Sequence, residues 1–493
     1  MRRALAALAL GGLVAGCGST VQVSSTSTTG TSSLVAPGAP TGGTSAPDTP
    51  LAPASTGVAG PAASTGSPGG PALPTAVDGV TAPVTSRAPQ TASGTLLPGI
   101  TAKTITIGVL AADPNANTTL ENAGFGAASL GDEPASWRSM ADEVNAHGGI
   151  AGRRVVLVFH LVNLTDSPAA QGQRACARFT QDNHVALVLS GYYYASAHTC
   201  LAKKNVPMLL GTNYGVDSVE ARSSASVVAW ATPMLDRLAA AMPQAFQQLG
   251  KLKAGTTAGI FTVDAPAYAR SAARLSSAMK ELGVKAVTQT VRDSGSGDYS
   301  GAATDASSAV LRFRSAGVTQ VAFLSHNAFE PTLFMQAANS QGYHPTYLLT
   351  SQQYPGSLVG LVPAGQLAGA VGLGWAPAVD LTSGYASSPR AQQCLRALKA
   401  RGRSYSTAAQ TLVGLLACDG FDLLRRAAAT AGALSGTAAL LAATTDARTG
   451  FVSAVTAKTA FPGGRRDGVD GYRPLAFGAS CSCFTYTGPT RAL

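Results

Sequence analysis

Three times between residues 250 and 350 a run of helical period ends at a glycine that directly precedes a short β-branched, apolar run. The glycines are Gly283, Gly317 and Gly342, and the runs that follow them cover 284–291, 318–324 and 343–350. Glycine accepts the left-handed geometry that stops a helix. With the apolar run over 257–263, this alternation of helix and strand predicts a parallel sheet covered on both faces.

A first series of the same kind precedes it. The run 104–110 (TITIGVL) reads as a strand, and a loop leads from it to a helix with Trp137, Met140, Ala141 and Val144 spaced by three and four. His147-Gly148-Gly149 ends that helix, and a strand over 155–162 follows. Ser167-Pro168 then supplies a helix cap and a first-turn proline. Strands over 185–190, 206–210 and 226–231 and a helix over 197–204 complete the series. The helix that opens the second series carries Leu235, Leu238, Ala239, Met242, Phe246 and Leu249, and Pro243 should kink it or delay its start. Beyond residue 350 come a Gly-rich apolar strand over 367–374, helices over 390–400 and 408–429, and extended segments and turns over 449–486.

The start of the chain has a different character. Arg2-Arg3, an apolar run over 4–15 and Gly16-Cys17 make a charged start, a short hydrophobic core and a small residue before cysteine, the layout of an export signal. The run falls short of the ~20 residues a transmembrane helix needs. Val14-Ala15-Gly16-Cys17 resembles the bacterial lipobox, which implies a diacylated Cys17 and a membrane anchor; the alternative is an ordinary secretory signal with an incidental cysteine. Residues 18–98 are almost wholly Ser, Thr, Gly, Ala, Pro, Val and Leu, with Asp48, Asp78 and Arg87 their charged residues and no aromatic before Phe125. Such a stretch buries no core and is expected to be a disordered tether reaching roughly 45 to 55 Å, or a glycosylated stalk of similar mechanics. Removal of Arg2 and Arg3 takes two charges from the formal +10, and the remaining basicity is diffuse. With 12% charged residues and no Lys/Arg block, a nucleic-acid partner is not expected.

At Asn145-Ala146-His147-Gly148-Gly149-Ile150-Ala151-Gly152-Arg153 the chain resembles the type I periplasmic binding-protein family, the group that includes leucine/isoleucine/valine-binding proteins. Supporting pieces are the strand 105–110, Val206-Pro207-Met208-Leu209-Leu210-Gly211, Tyr268 soon after a strand, and Thr449-Gly450-Phe451-Val452 with Pro462-Gly463-Gly464. The resemblance implies an α/β protein of two Rossmann-like lobes with parallel sheets, joined by a three-crossing hinge that closes on ligand. The expected organisation is a signal over 1–16, a lipidated tether over 17–99, a first lobe from 100–233 and 352–445, and a second from 234–351 and 446–493. It further implies a small-molecule ligand, docking to an ABC permease, and no catalysis or cofactor. A cell-surface sensor of the same fold is the alternative, and a hydrolase on this scaffold a more distant one.

In doubly wound sheets ligands sit beyond the carboxyl ends of the strands. The first-lobe candidates are therefore Ser190, Tyr192, Tyr194 and Ser196, with Gly211, Thr212 and Asn213 after the next strand. In the resembled amino-acid binders a serine and a threonine at these two places hold the ligand's polar head; Ser196 equally suits a plain helix cap. From the second lobe come Tyr268, His326, Asn327, Ser351, Gln352 and Tyr354, with Tyr268 read as a lid. Those relatives also present a second-lobe carboxylate to the ligand's ammonium, whereas Thr350-Ser351-Gln352-Gln353-Tyr354 supplies none. Asp264, Asp113 or another acid then substitutes, or the ligand is not a zwitterion, since an unpaired buried ammonium is costly.

The folded part holds six cysteines, an even number that suits an oxidising compartment. The resemblance implies a Cys176–Cys200 bridge; Cys394 with Cys418 would join consecutive helices, leaving Cys481 and Cys483 as a small ring or an alternative partner set. No phosphate loop, no Gly-x-Ser-x-Gly in the folded part and no His-Glu-x-x-His occurs, the histidines are scattered, and no metal site is expected.

Overall fold

The computed structural model describes residues 95–115, 129–162, 166–192, 194–211, 215–224, 227–293, 298–325 and 327–493. The expected signal, Cys17, almost all of the tether, Thr212, Asn213 and His326 lie outside the described residues. The first series forms β1 (Thr104–Ala112), α1 (Glu133–Ala146), β2 (Arg154–Val162), α2 (Pro168–Ala177), β3 (Leu187–Ser190), α3 (Ala195–Lys203), β4 (Met208–Leu210), α4 (Ser218–Ser224) and β5 (Val227–Ala229). Its strands pair in parallel in the order β2-β1-β3-β4-β5. Asp132 and Ser167 cap α1 and α2 by accepting the Ala135 and Ala170 amides, and each helix has proline in its first turn. Gly149, at φ 72°, ends the α1 turn where a Cβ would lie 1.9 Å from the Arg153 carbonyl oxygen. Only glycine fits there, so this part of the Asn-x-x-Gly-Gly motif is a steric requirement.

The second series forms α5 (Leu235–Gln248), β6 (Thr257–Val263), α6 (Pro266–Glu281), β7 (Lys285–Val291), α7 (Tyr299–Ser315), β8 (Gln320–Leu324), α8 (Phe329–Ser340), β9 (Thr346–Thr350) and β10 (Val371–Gly374). Pro243 is buried inside α5, which starts at Leu235 without delay. Then follow α9 (Pro389–Ala400), α10 (Ala408–Ala428) and α11 (Thr437–Thr444), and finally β11 (Gly471–Gly478), β12 (Cys483–Tyr486) and β13 (Arg491–Ala492). The second sheet has the order β12-β11-β10-β9-β8-β6-β7, parallel from β7 to β10 and antiparallel at β11 and β12.

The boundary expected at residue 352 is displaced. Strand β10 pairs in parallel with β9, so the chain stays with the second sheet to Gly374 and returns to the first only at α9 and α10, which pack on α1. All four residues of β10 are buried, and a run buried on both faces carries no alternation to assign it to one sheet.

The chain passes between the sheets three times: after β5, between β10 and α9, and between α11 and β11. The crossings are tied together. The Ala457 amide donates to the Trp375 carbonyl (2.8 Å), and the Ala229 amide donates to the Arg466 carbonyl (2.8 Å). Buried carboxylates pin them. Asp467 accepts from the Met234 amide and Arg237 Nε, both at 2.7 Å, and Asp419 on α10 accepts from the amides of Ala454 (2.7 Å) and Val455 (3.2 Å). Asp380 accepts from the Tyr486 hydroxyl (2.6 Å) and the Ala376 amide (3.1 Å). Among the described residues no helix is long and apolar enough to cross a membrane.

Candidate functional site

On the first lobe, the ends of β1 and β3 meet at a residue the sequence analysis passed over. Glu133, 2% exposed, accepts the Ala112 amide (2.8 Å), the Tyr192 hydroxyl (2.9 Å) and Trp137 Nε1 (3.2 Å). Burial raises its pKa, with the three hydrogen bonds opposing. The sequence signal was a carboxylate next to Pro134 at the start of an amphipathic helix that follows a strand end.

The first-lobe hydroxyls are committed to the scaffold. Ser190 donates to the Tyr192 carbonyl (2.7 Å) and accepts its amide (2.8 Å), closing the turn after β3. Ser196 neither caps α3 nor faces the strand ends: its hydroxyl lies 3.3 Å from the carbonyls of Pro168 and Ala169 on α2. Gly211 is a packing residue, since a Cβ there would lie 2.6 Å from Leu416 and 2.8 Å from Trp230. Tyr192 and Tyr194 are half-buried against the apolar cluster behind the sheet, around Cys176, Val188 and Leu210.

On the second lobe, Tyr268 is 2% exposed, and its ring lies 2.9 Å from where a Cβ on Gly215 would stand. It is thus a core ring clasped by a first-lobe loop rather than an exposed lid. Two residues on, Arg270 pairs with Asp217 (2.6 Å) and Glu220 (3.2 Å) of the first lobe. The Asn327 side chain accepts the Phe329 amide (2.6 Å) in the turn that leads into α8. Ser351 accepts the amides of Trp375 (2.7 Å) and Ala376 (3.2 Å).

Gln352 is the exception. It is 4% exposed, and neither its amide nitrogen nor its oxygen has a hydrogen-bond partner among the described residues. It lines a cavity of about 20 Å³ where all three crossings converge, with Thr232 from the first, Trp375 from the second, Val455 from the third, and Leu412 of α10. That space suits about one water molecule, so an organic solute enters only if the lobes part. Tyr354 also lines it, with φ 51° and ψ 62° immediately before Pro355. A bulky residue in the left-handed region before proline is strained backbone of the kind that gathers at binding sites. The 350–354 stretch supplies no acid; a buried carboxyl elsewhere on the same lobe is Glu330, 1% exposed, the second residue of α8.

Asp380, behind this cavity, has a pKa pushed up to about 7 by burial, against the hydrogen bonds of Tyr486, Ser351 and Ala376. In the unfolded chain the value is about 3.9. The folded state therefore holds a proton that the unfolded state has released between about pH 4 and about pH 7. This group's contribution to stability is full below about pH 4 and lost as pH rises through that window, at up to about 1.4 kcal/mol per pH unit. Asp380→Asn should remove this slope. Urea denaturation is expected to place the variant higher relative to wild type at pH 8 than at pH 5; an equal difference at both contradicts the assignment.

The sequence profile of the periplasmic binding protein family matches residues 104–473. No curated protein is similar to the chain in sequence. Among solved structures, it is similar to an ABC transporter solute-binding protein from R. palustris in complex with 4-hydroxybenzoate (16% identity, TM-score 0.56, covering 79% of this chain and 97% of that one). It is similar to a branched chain amino acid ABC transporter protein from Thermus thermophilus with bound valine (15%, TM-score 0.58, 80% and 98%). A fatty acid ABC transporter substrate-binding protein from Thermomonospora curvata is a third (14%, TM-score 0.56, 81% and 95%). At these identities the likeness is one of fold.

Proposed function

The chain belongs to the periplasmic binding protein family, and we propose that it captures a small organic solute, neutral or anionic, between its two lobes and delivers it to the permease of an ABC importer. The observation that carries this reading is the buried, unpartnered amide of Gln352 in a cavity that all three crossings line. Each end of a buried side-chain amide left unmade costs on the order of 1 to 3 kcal/mol, and a ligand that satisfies them stabilises the closed form by its differential affinity for that form. A carboxamide offers a donor and an acceptor and no charge. It therefore pairs with an amide, a carboxylic acid or a phenol, and gives an ammonium only its neutral oxygen. Tyr354 and Trp375 supply flat apolar surface beside it.

Contacts from Gln352, Tyr354, Tyr192, Tyr194 and Asn327 belong to this proposal, as do Thr212, Asn213 and His326 beyond the described residues. Ser190, Ser196, Gly211 and Tyr268 hold the walls in place. A thermal-shift panel of amino acids, amides, short peptides and aromatic acids tests the reading, because a ligand at a hundred times its Kd adds about 2.7 kcal/mol to stability. A panel in which nothing shifts the transition counts against it.

We also propose that Cys17 carries the lipid that holds the protein at the outer face of the cytoplasmic membrane. Support comes from Val14-Ala15-Gly16-Cys17 and the polar, aromatic-free stretch after it. Cys17→Ser should move the protein from the membrane to the soluble fraction. Unchanged retention, with no acyl chain found on wild type by mass spectrometry, would refute the anchor.

A further inference from the structure

The chain has three disulfides among its described residues, and one is of a different kind. Cys176–Cys200 and Cys394–Cys418 each span 24 residues and tie consecutive helices, α2 to α3 and α9 to α10. Cys176 and Cys394 are 0% exposed and Cys418 is 2% exposed. Cys481–Cys483 closes over a single residue, Ser482, at the tip of the β11–β12 hairpin. Cys481 is exposed and Cys483 half-buried.

Two features make this third bridge dispensable to the fold. A bridge constrains the unfolded chain in proportion to the logarithm of the loop it closes, so a ring this small contributes little beside loops of 24 residues. The hairpin is already held without it: Gly478 pairs with Cys483 and Phe477 with Phe484 in the antiparallel ladder, and the two phenylalanine rings meet edge to face at 5.4 Å. The ring also has a backbone cost. Ser482 sits at φ 46°, a left-handed conformation that a residue with a Cβ adopts reluctantly. Exposed bridges under conformational cost are the ones that exchange with thiols.

We propose that Cys481–Cys483 is a thiol–disulfide exchange site open to low-molecular-weight thiols, separate from the ligand cleft. The thiolate of a small thiol attacks Cys481 Sγ; a sulfur–sulfur bond forms there as the Cys481–Cys483 bond breaks. The electron pair leaves on Cys483 Sγ, which takes up a proton. A second small thiolate then attacks the small-thiol sulfur of the mixed disulfide and expels Cys481 as a thiolate, which is protonated in turn. Two thiols are oxidised to one small disulfide, and the protein bridge gains two electrons and two protons. In the return direction the Cys483 thiolate attacks the mixed disulfide at Cys481 and expels the small thiol, so Cys483 is the resolving residue.

The test is a titration of the folded full-length chain with dithiothreitol, followed by alkylation and peptide mapping. Cys481 and Cys483 should become alkylated at about tenfold lower reductant than either helix bridge, with the melting temperature unchanged at that point. A second arm exposes the selectively reduced protein and its Cys483→Ser variant to cystine. The cysteine adduct on Cys481 should persist in Cys483→Ser and disappear in the parent as the ring re-forms. Opening of all three bridges together, opening of the tip last, or an adduct equally long-lived in both proteins would overturn the proposal.

Discussion

Replacement of Asp467 by alanine is expected to cost the folded state about 3 to 5 kcal/mol, the range for breaking a buried ion pair from one side. Asp467 is 0% exposed and accepts the Met234 amide and Arg237 Nε at 2.7 Å, while Arg465 Nε lies 2.6 Å from its second oxygen. Without it, Arg237 keeps its contacts to the backbone oxygens of Val469 and Leu493 but loses its directly bonded carboxylate in a setting that already pulls its pKa down by burial, with Asp470 a more distant counter-charge. The penalty lands on the hinge, because Asp467 lies beside Ala229 at the edge of the first sheet while Met234 leads into the second lobe. Urea denaturation measures it. A loss below about 1 kcal/mol, the range of exposed pairs, would mean that Arg237 is readily solvated and that Asp467 does not organise the crossing.

Tyr268→Ala should destabilise the protein by a similar amount, about 3 to 5 kcal/mol, as large buried aromatics do when truncated. By its sequence position Tyr268 reads as a lid, and a lid can be trimmed with little effect on the unliganded protein. The structure puts the ring in the core against Gly215 instead, 2% exposed. Tyr268→Phe should keep most of the stability, since it preserves the packed volume. If Tyr268→Ala left the melting temperature in place and weakened ligand alone, the lid reading would stand.

This difference shows where the sequence is legible. Backbone punctuation reads well: Gly149, Gly283, Gly317 and Gly342 all adopt positive φ and end helices before strands, as their positions imply. The parallel pairing of β1 to β5 and of β6 to β9 follows from the alternation they punctuate. Side-chain direction reads poorly, because a residue at a strand end can face the cleft, its own loop or a neighbouring helix at equal sequence cost. Ser190 and Ser196 went to the loop and to α2; Gln352, two residues beyond β9, went to the cavity. Glu133 and Glu330 escaped notice since a glutamate in the first turn of a helix is ordinary for the helix dipole, and only burial separates these two from the rest. The misplaced β10 has the same origin, a short run whose two buried faces give no hint of which sheet it joins.

Calorimetric titration of the purified protein with leucine and with a neutral or anionic panel, including 4-hydroxybenzoate and simple carboxamides, measures which charge class the cleft accepts. A member of the neutral or anionic panel should bind more tightly than leucine, and Gln352→Leu should weaken it by about 1 to 3 kcal/mol, the value of a buried hydrogen-bonding group that loses its partner. Micromolar or tighter leucine binding, untouched by Gln352→Leu and abolished by changing Asp264, Asp113 or Glu330, would contradict it and make this an amino-acid binder whose acid has moved.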